Sequence, residues 1–168
     1  MPSTYTPISF ANIISTTSSV TFSSIPQTYT DLVIVVSAYT VNGGSFSNIQ
    51  TPYNGDTTNS NYAYGLMYSQ GDSSSSGGSN AAWWGYIGGN AGAYSTMQAH
   101  IMNYSSTNRF KTTIITESNG VVNNPAFAFE VSVMTWKNTA AITSMVIGFS
   151  NGGAAAGSKV ALYGIKAA

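Results

Sequence analysis

Residues 125–136 have the sequence PAFAFEVSVMTW, which contains the clearest strand pattern in the chain. Apolar residues alternate with smaller or polar ones, and a period of two is typical of a β-strand with one buried face. Four apolar side chains share one face of this predicted strand: Phe127, Phe129, Val131 and Val133. Glu130 and Ser132 lie on the opposite face, so we expect Glu130 to point outward as a solvated or interface charge.

Short apolar or alternating segments recur along the whole chain, separated by glycine, asparagine and serine. Residues 29–39 (YTDLVIVVSAY) contain LVIVV, which is apolar on both faces and predicts a central, buried strand. The other predicted strands are residues 19–25, 45–53, 62–69, 81–87, 96–104, 109–117, 142–149 and 159–166. Because no segment has a helical period, the pattern predicts an all-β fold of about eight to ten strands, a β-sandwich with jelly-roll topology.

The connections between these strands are rich in turn-forming residues. An Asn-Gly-Gly sequence at 42–44 predicts a turn, and Asn54-Gly55 is a strong turn signal because both residues tolerate a positive φ angle. Residues 71–80 (GDSSSSGGSN) are of low complexity, and we expect them to form a flexible surface loop.

The chain has 168 residues, a length that suits one domain with one core. We expect a single β-sandwich domain at residues 19–168. Residues 1–18 are rich in threonine and serine and include two prolines, so we expect them to form an extended N-terminal arm that docks on a neighbour.

The charge content is unusually low. Only 6% of residues are charged and the formal net charge is zero, whereas about a quarter of the residues of an ordinary domain are charged. The sequence has no basic stripe of the kind that nucleic-acid binding requires, and no long apolar run or signal-peptide pattern. It contains no cysteine, which excludes disulfides and thiolate metal sites. A neutral surface promotes association, so we expect a partner to cover part of it.

Few residues are able to support acid-base chemistry. The carboxylates are Asp31, Asp56, Asp72, Glu117 and Glu130. Asp56 and Asp72 lie in turn-rich segments, where an Asx-turn is the expected role, and Asp31 is expected to cap local backbone at a strand start. His100, the only histidine, lies beside Met102 on a predicted strand and is expected to be a satisfied or interface residue. We therefore expect no catalytic residue and no enzyme activity.

Two motif matches do not change this expectation. Residues 148–152 match G-x-S-x-G, but the GGAAAGS sequence that follows is too glycine-rich for the helix of a nucleophile elbow, and His100 precedes the serine. Residues 54–59 offer oxygen ligands without the acidic pattern of a calcium loop, so a turn is favoured. No phosphate-binding glycine motif is present. The sequence thus predicts no metal, no cofactor and no nucleic-acid partner.

The aromatic residues of the middle region are the most suggestive feature. Trp83 and Trp84 are adjacent on a predicted strand, so their side chains should point to opposite faces, with one turned outward or toward a partner. Five tyrosines accompany them: Tyr62, Tyr64, Tyr68, Tyr86 and Tyr94. Such residues suit a subunit interface or a carbohydrate platform. Of these two, we favour the interface.

Several sequence strings together resemble one family. They are residues 20–26 and 29–33, residues 53–56 and 60–62, residues 100–105 and 111–112, and residues 162–168. In this order they resemble a family of small virion proteins and fibre-end domains of tailed phages, including cyanophages, over almost the whole chain. The resemblance implies a structural protein of the virion and implies no catalytic residues.

Within that family the expected function is capsid decoration. The strand pattern begins at Ser19 without an attachment segment or shaft, and a bare domain with an arm is typical of a cement protein that stabilises a phage head. The expected partners are the major capsid protein and copies of the chain itself, as a homotrimer. The alternative is a receptor-binding module of a tail fibre or baseplate, which would stack host-surface glycans on its exposed aromatic rings.

Overall fold

The computed structural model describes residues 5–41, 46–70, 73–88, 94–119 and 128–166. Over these residues the strands are β1 (Tyr5–Asn12), β2 (Ser19–Phe22), β3 (Asp31–Ala38), β4 (Ser47–Gln50), β5 (Tyr62–Gln70), β6 (Ser73–Ser79), β7 (Trp83–Ile87), β8 (Ser95–Met102), β9 (Lys111–Asn119), β10 (Ala128–Trp136), β11 (Met145–Phe149) and β12 (Lys159–Ile165). A 3₁₀ turn at Asn59–Asn61 precedes β5. The predicted turn at 42–44, Asp72 and Phe127 lie outside the described residues.

Two antiparallel sheets pack face to face. The larger has the strand order β1-β12-β3-β8-β9-β10-β5-β6, and the smaller has the order β2-β11-β4-β7. From β2 to β5 the chain alternates between the sheets, and β7 and β11 are its later strands in the smaller sheet, while β5–β6 and β8–β10 each lie consecutively in the larger one. The hairpin β8–β9 is inserted between β3 and β10, and β12 and β1 extend the same sheet at one edge. The predicted β-sandwich is therefore confirmed, with twelve strands in the described residues.

The core lies between the two sheets. Leu32, Ile34 and Val36 of β3 face the smaller sheet and have no exposed area, and β3 lies between β12 and β8 inside the larger sheet. The prediction that the LVIVV segment forms a central strand is therefore confirmed. On the opposite side of β3, Val33 is 2% exposed, whereas Val35 is 39% exposed.

The two edge strands of the larger sheet come from segments that the sequence pattern does not predict as strands. β1 pairs with β12, with a bulge between Pro7 and Ser9, so residues 5–12 of the predicted arm belong to the sheet. β6 pairs with β5 from Gln70↔Ser73 to Tyr64↔Ser79. The prediction of a flexible loop at 71–80 was therefore wrong over β6. Strand pairing uses backbone groups, so a serine-rich segment is able to form an edge strand.

The orientation of β10 is the reverse of the predicted one. Four of its side chains face the core: Glu130, Ser132, Met134 and Trp136. Phe129 and Val133 face away from the smaller sheet and are 54% and 42% exposed, whereas Glu130 is only 3% exposed. The expectation that Glu130 is an outward charge was wrong. The same face carries the large side chains of Met134 and Trp136, which fill the space between the sheets.

The predicted turn at Asn54-Gly55 is confirmed. The φ angles of Asn54 and Gly55 are 52° and 73°, and the Asp56 backbone N–H donates to the Tyr53 carbonyl at 2.9 Å. Two successive positive φ angles define a type I′ turn. The Asn54 side-chain oxygen also accepts the Thr143 backbone N–H at 2.9 Å. The turn thus anchors the segment that leads into β11.

Candidate interaction site

The face of the larger sheet that points away from the smaller sheet is here called the outer face. Four large apolar side chains on adjacent strands of this face are exposed: Met67 (66%), Phe129 (54%), Val133 (42%) and Ile114 (40%). Val133 lies directly opposite Ile114, and Val131 lies opposite Met67. Side chains opposite each other in an antiparallel pair are about 4.5–5.5 Å apart. These residues therefore form one contiguous apolar patch.

The apolar character of the outer face extends toward β1. A row of register partners runs across the sheet from Val131 of β10 through Thr116 of β9 and Gln98 of β8 to Val35 of β3. Val35 pairs in turn with Ala161 of β12. Beyond Ala161 lies Phe10 of β1, which is 60% exposed. Exposed apolar side chains thus occur on both sides of this row, with the polar Thr116 and Gln98 between them and none on β6.

Charged side chains of the described outer face lie toward the strand ends, where His100 is directly opposite Ile114 of the apolar patch. Asp31, the first residue of β3, accepts a hydrogen bond from the Asn103 backbone N–H at 2.7 Å and contacts His100 Nε2 at 3.1 Å. Asp31 therefore caps a turn distant in sequence instead of local backbone, and His100 has a partner within the chain. Lys159 lies at the opposite end of the strands and is exposed. The central part of the face is uncharged.

The size of the outer face is that of a protein interface. Seven inter-strand spacings of about 4.8 Å give a width of about 34 Å, and eight residues at about 3.3 Å each give a length of about 26 Å. The resulting area of about 880 Å² is close to the about 800 Å² per partner of a standard interface.

The predicted interface aromatics lie mostly inside the sandwich. Trp83 is 8% exposed, and Trp84 and Tyr62 have no exposed area. The expectation that one of the two indoles points outward was wrong. Trp84 is an extra residue in β7 at a register shift, where Ile49 pairs with Gly85 and Gln50 pairs with Trp83. A bulge of this kind interrupts the alternation of side chains, so both indoles are accommodated inside.

The five predicted tyrosines are not brought together into one exposed cluster. Tyr64 stacks on Trp83 with ring centroids 5.7 Å apart, and Tyr86 packs edge-on against the same indole at 4.7 Å. Tyr68 is half-buried, and Tyr94 is 42% exposed and packs against Tyr39. Glycan stacking requires an accessible ring face, so the buried rings of this group are unsuited to it.

A second aromatic group surrounds Tyr62 at the other end of the core. Its hydroxyl donates to the Asp56 carbonyl at 2.8 Å and accepts the Tyr53 backbone N–H at 3.0 Å. Burial raises the pKa of Tyr62 to about 12. Trp136 stacks on Tyr62, and its indole N–H donates to the Asp56 carboxylate at 2.8 Å. These contacts give the Tyr62 ring a structural role.

Asp56 forms the predicted Asx-turn. Its carboxylate accepts the Thr58 backbone N–H at 3.1 Å and the Asn61 amide at 2.9 Å, in addition to the Trp136 indole. Burial opposes ionisation of Asp56, but these hydrogen bonds outweigh it and lower its pKa. The oxygen atoms of this segment serve the turn and the core beside it.

The G-x-S-x-G match at 148–152 is a glycine-rich turn after β11. Ser150 Oγ accepts the Asn48 backbone N–H at 2.9 Å, and Asn151, Gly152 and Gly153 have positive φ angles. Ala154 then bridges to Thr17 instead of starting a helix. The geometry of a nucleophile elbow is therefore not formed here.

Two carboxylates that the sequence places apart are adjacent in the core. Glu117 of β9 and Glu130 of β10 are register partners, and each is 3% exposed. The Tyr86 backbone N–H donates to Glu117 Oε2 at 2.9 Å, and the Trp83 indole lies 3.5 Å from Glu130 Oε1. Burial raises the pKa of Glu130, and the contact with Trp83 lowers it to a smaller extent. The presence of Met134 and Trp136 on the face of Glu130 was the available signal for its burial.

Comparison of the chain with protein-family models, curated proteins and solved structures gave no match. Within the described ranges, no three acidic, histidine or cysteine side chains form a group that could hold a metal ion. None of the helical segments described is long and apolar enough to cross a membrane.

Proposed function

We propose that the protein is a non-catalytic structural subunit that associates with copies of itself through the outer face. The single observation that carries this proposal is the reversed orientation of β10. A side chain as apolar as Phe129 is exposed, while a carboxylate on the same strand, Glu130, is buried. Both placements cost free energy in an isolated subunit. A partner that covers the outer face removes the first of these costs.

A second copy of the chain is the partner that best fits this face. The central part is uncharged, so two copies can meet without bringing like charges together. The whole face, with its charged margins, covers about 880 Å² per copy, so a contact of standard size has to bury most of it. Stacked sheets pack about 10 Å apart, with side chains such as Ile114 and Val133 interdigitating between them.

Capsid decoration remains the proposed setting for this association. It is supported by the resemblance to small tailed-phage virion proteins and by the low charge of the chain. One outer face stacked on another pairs two copies, so the oligomer of this proposal is a dimer instead of the trimer expected from the sequence. It covers junctions between copies of the major capsid protein. The multiplied contacts then stabilise the head.

The test is the mass of the protein in solution, measured by light scattering or analytical ultracentrifugation over a range of concentrations. The wild type should exceed the monomer mass of 17.6 kDa. Val133→Glu should raise the dissociation constant more than a hundredfold, because an unpaired carboxylate within the contact costs several kcal/mol. Thr21→Glu, on an exposed position of β2, adds the same charge to the other sheet and should leave the mass unchanged.

Two outcomes would contradict the proposal. A monomeric wild type at about 100 µM, well above the dissociation constants of stable complexes, would leave the outer face without a second copy. Equal association of Val133→Glu and wild type would place the contact elsewhere. Immunogold labelling of virions tests the setting separately. Labelling at the tail tip, together with glycan binding by the isolated protein, would favour the receptor-binding alternative.

A further inference from the structure

We propose that Glu117 and Glu130 share one proton and form an acid pair that fastens β7 onto the larger sheet. Loss of this proton at high pH would release β7 and open this end of the sandwich. The proposal is independent of the self-association described above, because both side chains face the core and not the outer face.

The sheet register sets the geometry of this acid pair. Glu130 lies directly opposite Glu117, between Glu117 and Tyr68, and Met97 lies on the other side of Glu117. Opposite residues of an antiparallel pair have Cβ atoms about 4.5–5.5 Å apart. Two buried carboxyl groups at facing positions repel each other when both are ionised, so in this proposal one of them retains a proton.

The hydrogen bonds indicate which residue retains the proton. Glu117 accepts a backbone N–H from Tyr86 at 2.9 Å, an interaction that favours the ionised form. Glu130 has a longer contact, 3.5 Å to the Trp83 indole, and burial raises its pKa. Glu117 is therefore the carboxylate of the pair, and Glu130 is the carboxylic acid.

Gly85 explains why this pair fastens β7. A Cβ atom at Gly85 would lie 1.9 Å from Glu117 Oε2, so the backbone of β7 rests directly on the carboxylate. The φ angle of Gly85 is 140°, a backbone conformation that residues other than glycine rarely adopt. The bulge in β7 and the missing side chain together allow this close approach.

Among the described residues, the other titratable groups around the acid pair are phenols. Tyr64 and Tyr68 of β5 and Tyr86 of β7 surround it, and burial, followed by the charge of Glu130, raises the pKa of Tyr86. At the inner positions of β8 beside Glu117 lie Met97 and Ser95, neither of which titrates. The cationic residues lie in other parts of the fold: His100 and Lys159 on the outer face, Arg109 and Lys111 at the far end of β9, and Lys137 and Lys166 beyond β10 and β12.

The first experiment is urea unfolding between pH 4 and pH 9, followed by tryptophan fluorescence. The folded pKa of Glu130 lies above its ordinary value of 4.5, so the stabilisation is complete below pH 4.5 and is lost as the pH rises through the folded pKa. Over that interval the unfolding equilibrium constant of the wild type should rise by up to tenfold per pH unit. Glu130→Gln, a neutral mimic of the acid, should remove this dependence and be more stable than wild type at pH 8.

His100→Gln is the matched control, because it removes the only histidine from the outer face and should keep the wild-type dependence on pH. A second measurement needs no variant. Infrared spectra of the wild type at pH 7 should contain the carbonyl band of a protonated carboxylic acid, and this band should disappear at high pH together with the loss of stability.

Three results would overturn the acid pair. The first is the absence of the carboxylic-acid band from the infrared spectrum of the wild type at pH 7. The second is a wild-type stability that does not change with pH, as expected for Glu130→Gln. Stabilisation of the wild type by added calcium, without an acid band, would show that a cation and not a proton neutralises the pair.

Discussion

Gly85→Ala is the substitution that most directly tests how the two sheets meet. The added Cβ would lie 1.9 Å from Glu117 Oε2 and 2.5 Å from its Cδ atom. Glu117 cannot move away freely, because it is buried and accepts the Tyr86 backbone N–H. Overpacking of this kind costs about 1–3 kcal/mol, and the unfavourable φ angle adds about 1–3 kcal/mol. We therefore expect the free energy of unfolding to fall by about 2–6 kcal/mol.

Gly55→Ala is the matched control for the backbone contribution. Gly55 also has a positive φ angle, 73°, but nothing lies within 4 Å of a Cβ placed there. Its replacement should cost only about 1–2 kcal/mol, the usual penalty for an L-residue in the left-handed region. A difference of about 2 kcal/mol between the variants corresponds to about thirtyfold in the unfolding equilibrium constant.

Chemical denaturation monitored by fluorescence and by circular dichroism measures both variants. Combining Gly85→Ala with Glu117→Ser, which shortens the opposing side chain, should recover part of the loss if the contact is its cause. Equal destabilisation by Gly85→Ala and Gly55→Ala, with no recovery in the double variant, would refute the close packing of β7 on Glu117.

The remaining predictions concern the core and its hydrogen bonds. Asp56 has a lowered pKa, so its contribution to stability is present above its ordinary value of 3.8 and is lost as the pH falls through the folded pKa; Asp56→Asn should abolish that acid-side loss in thermal melts. Tyr62→Phe removes a hydroxyl with two hydrogen bonds and should cost about 1–3 kcal/mol; an unchanged denaturation midpoint would contradict this. Trp84→Ala should lower stability by about 3–5 kcal/mol, because the indole is fully buried, and retained wild-type stability would argue against that burial.

The sequence predicts the class of the fold well, because that class depends on local signals. The apolar segment around Ile34 and the Asn54-Gly55 turn both form as their residue types predict. A period of two and a pair of residues that tolerate positive φ angles are visible within a few positions of the chain. No knowledge of the partner strands is needed to recognise them.

The orientation of β10 and the conformation of β7 depend on contacts that are distant in sequence. The alternation around Glu130 defines two faces but does not state which one meets the smaller sheet, and the apolar face is the exposed one here. The bulge at Trp84 arises from pairing with β4, about 35 positions earlier in the chain. The candidate site was missed for the same reason, since the outer face combines side chains from strands far apart in sequence.

The edges of the larger sheet carry features that disfavour the addition of strands from other molecules. Unpaired edge strands promote aggregation by adding strands from other molecules. β1 carries Pro7, which has no N–H to donate, next to a bulge, and β6 consists only of serine and glycine, of which glycine is a poor strand former. Lateral growth of the sheet is therefore disfavoured at both ends. Under the proposed self-association, copies of this chain should then join through the outer face and not by adding strands at these two edges.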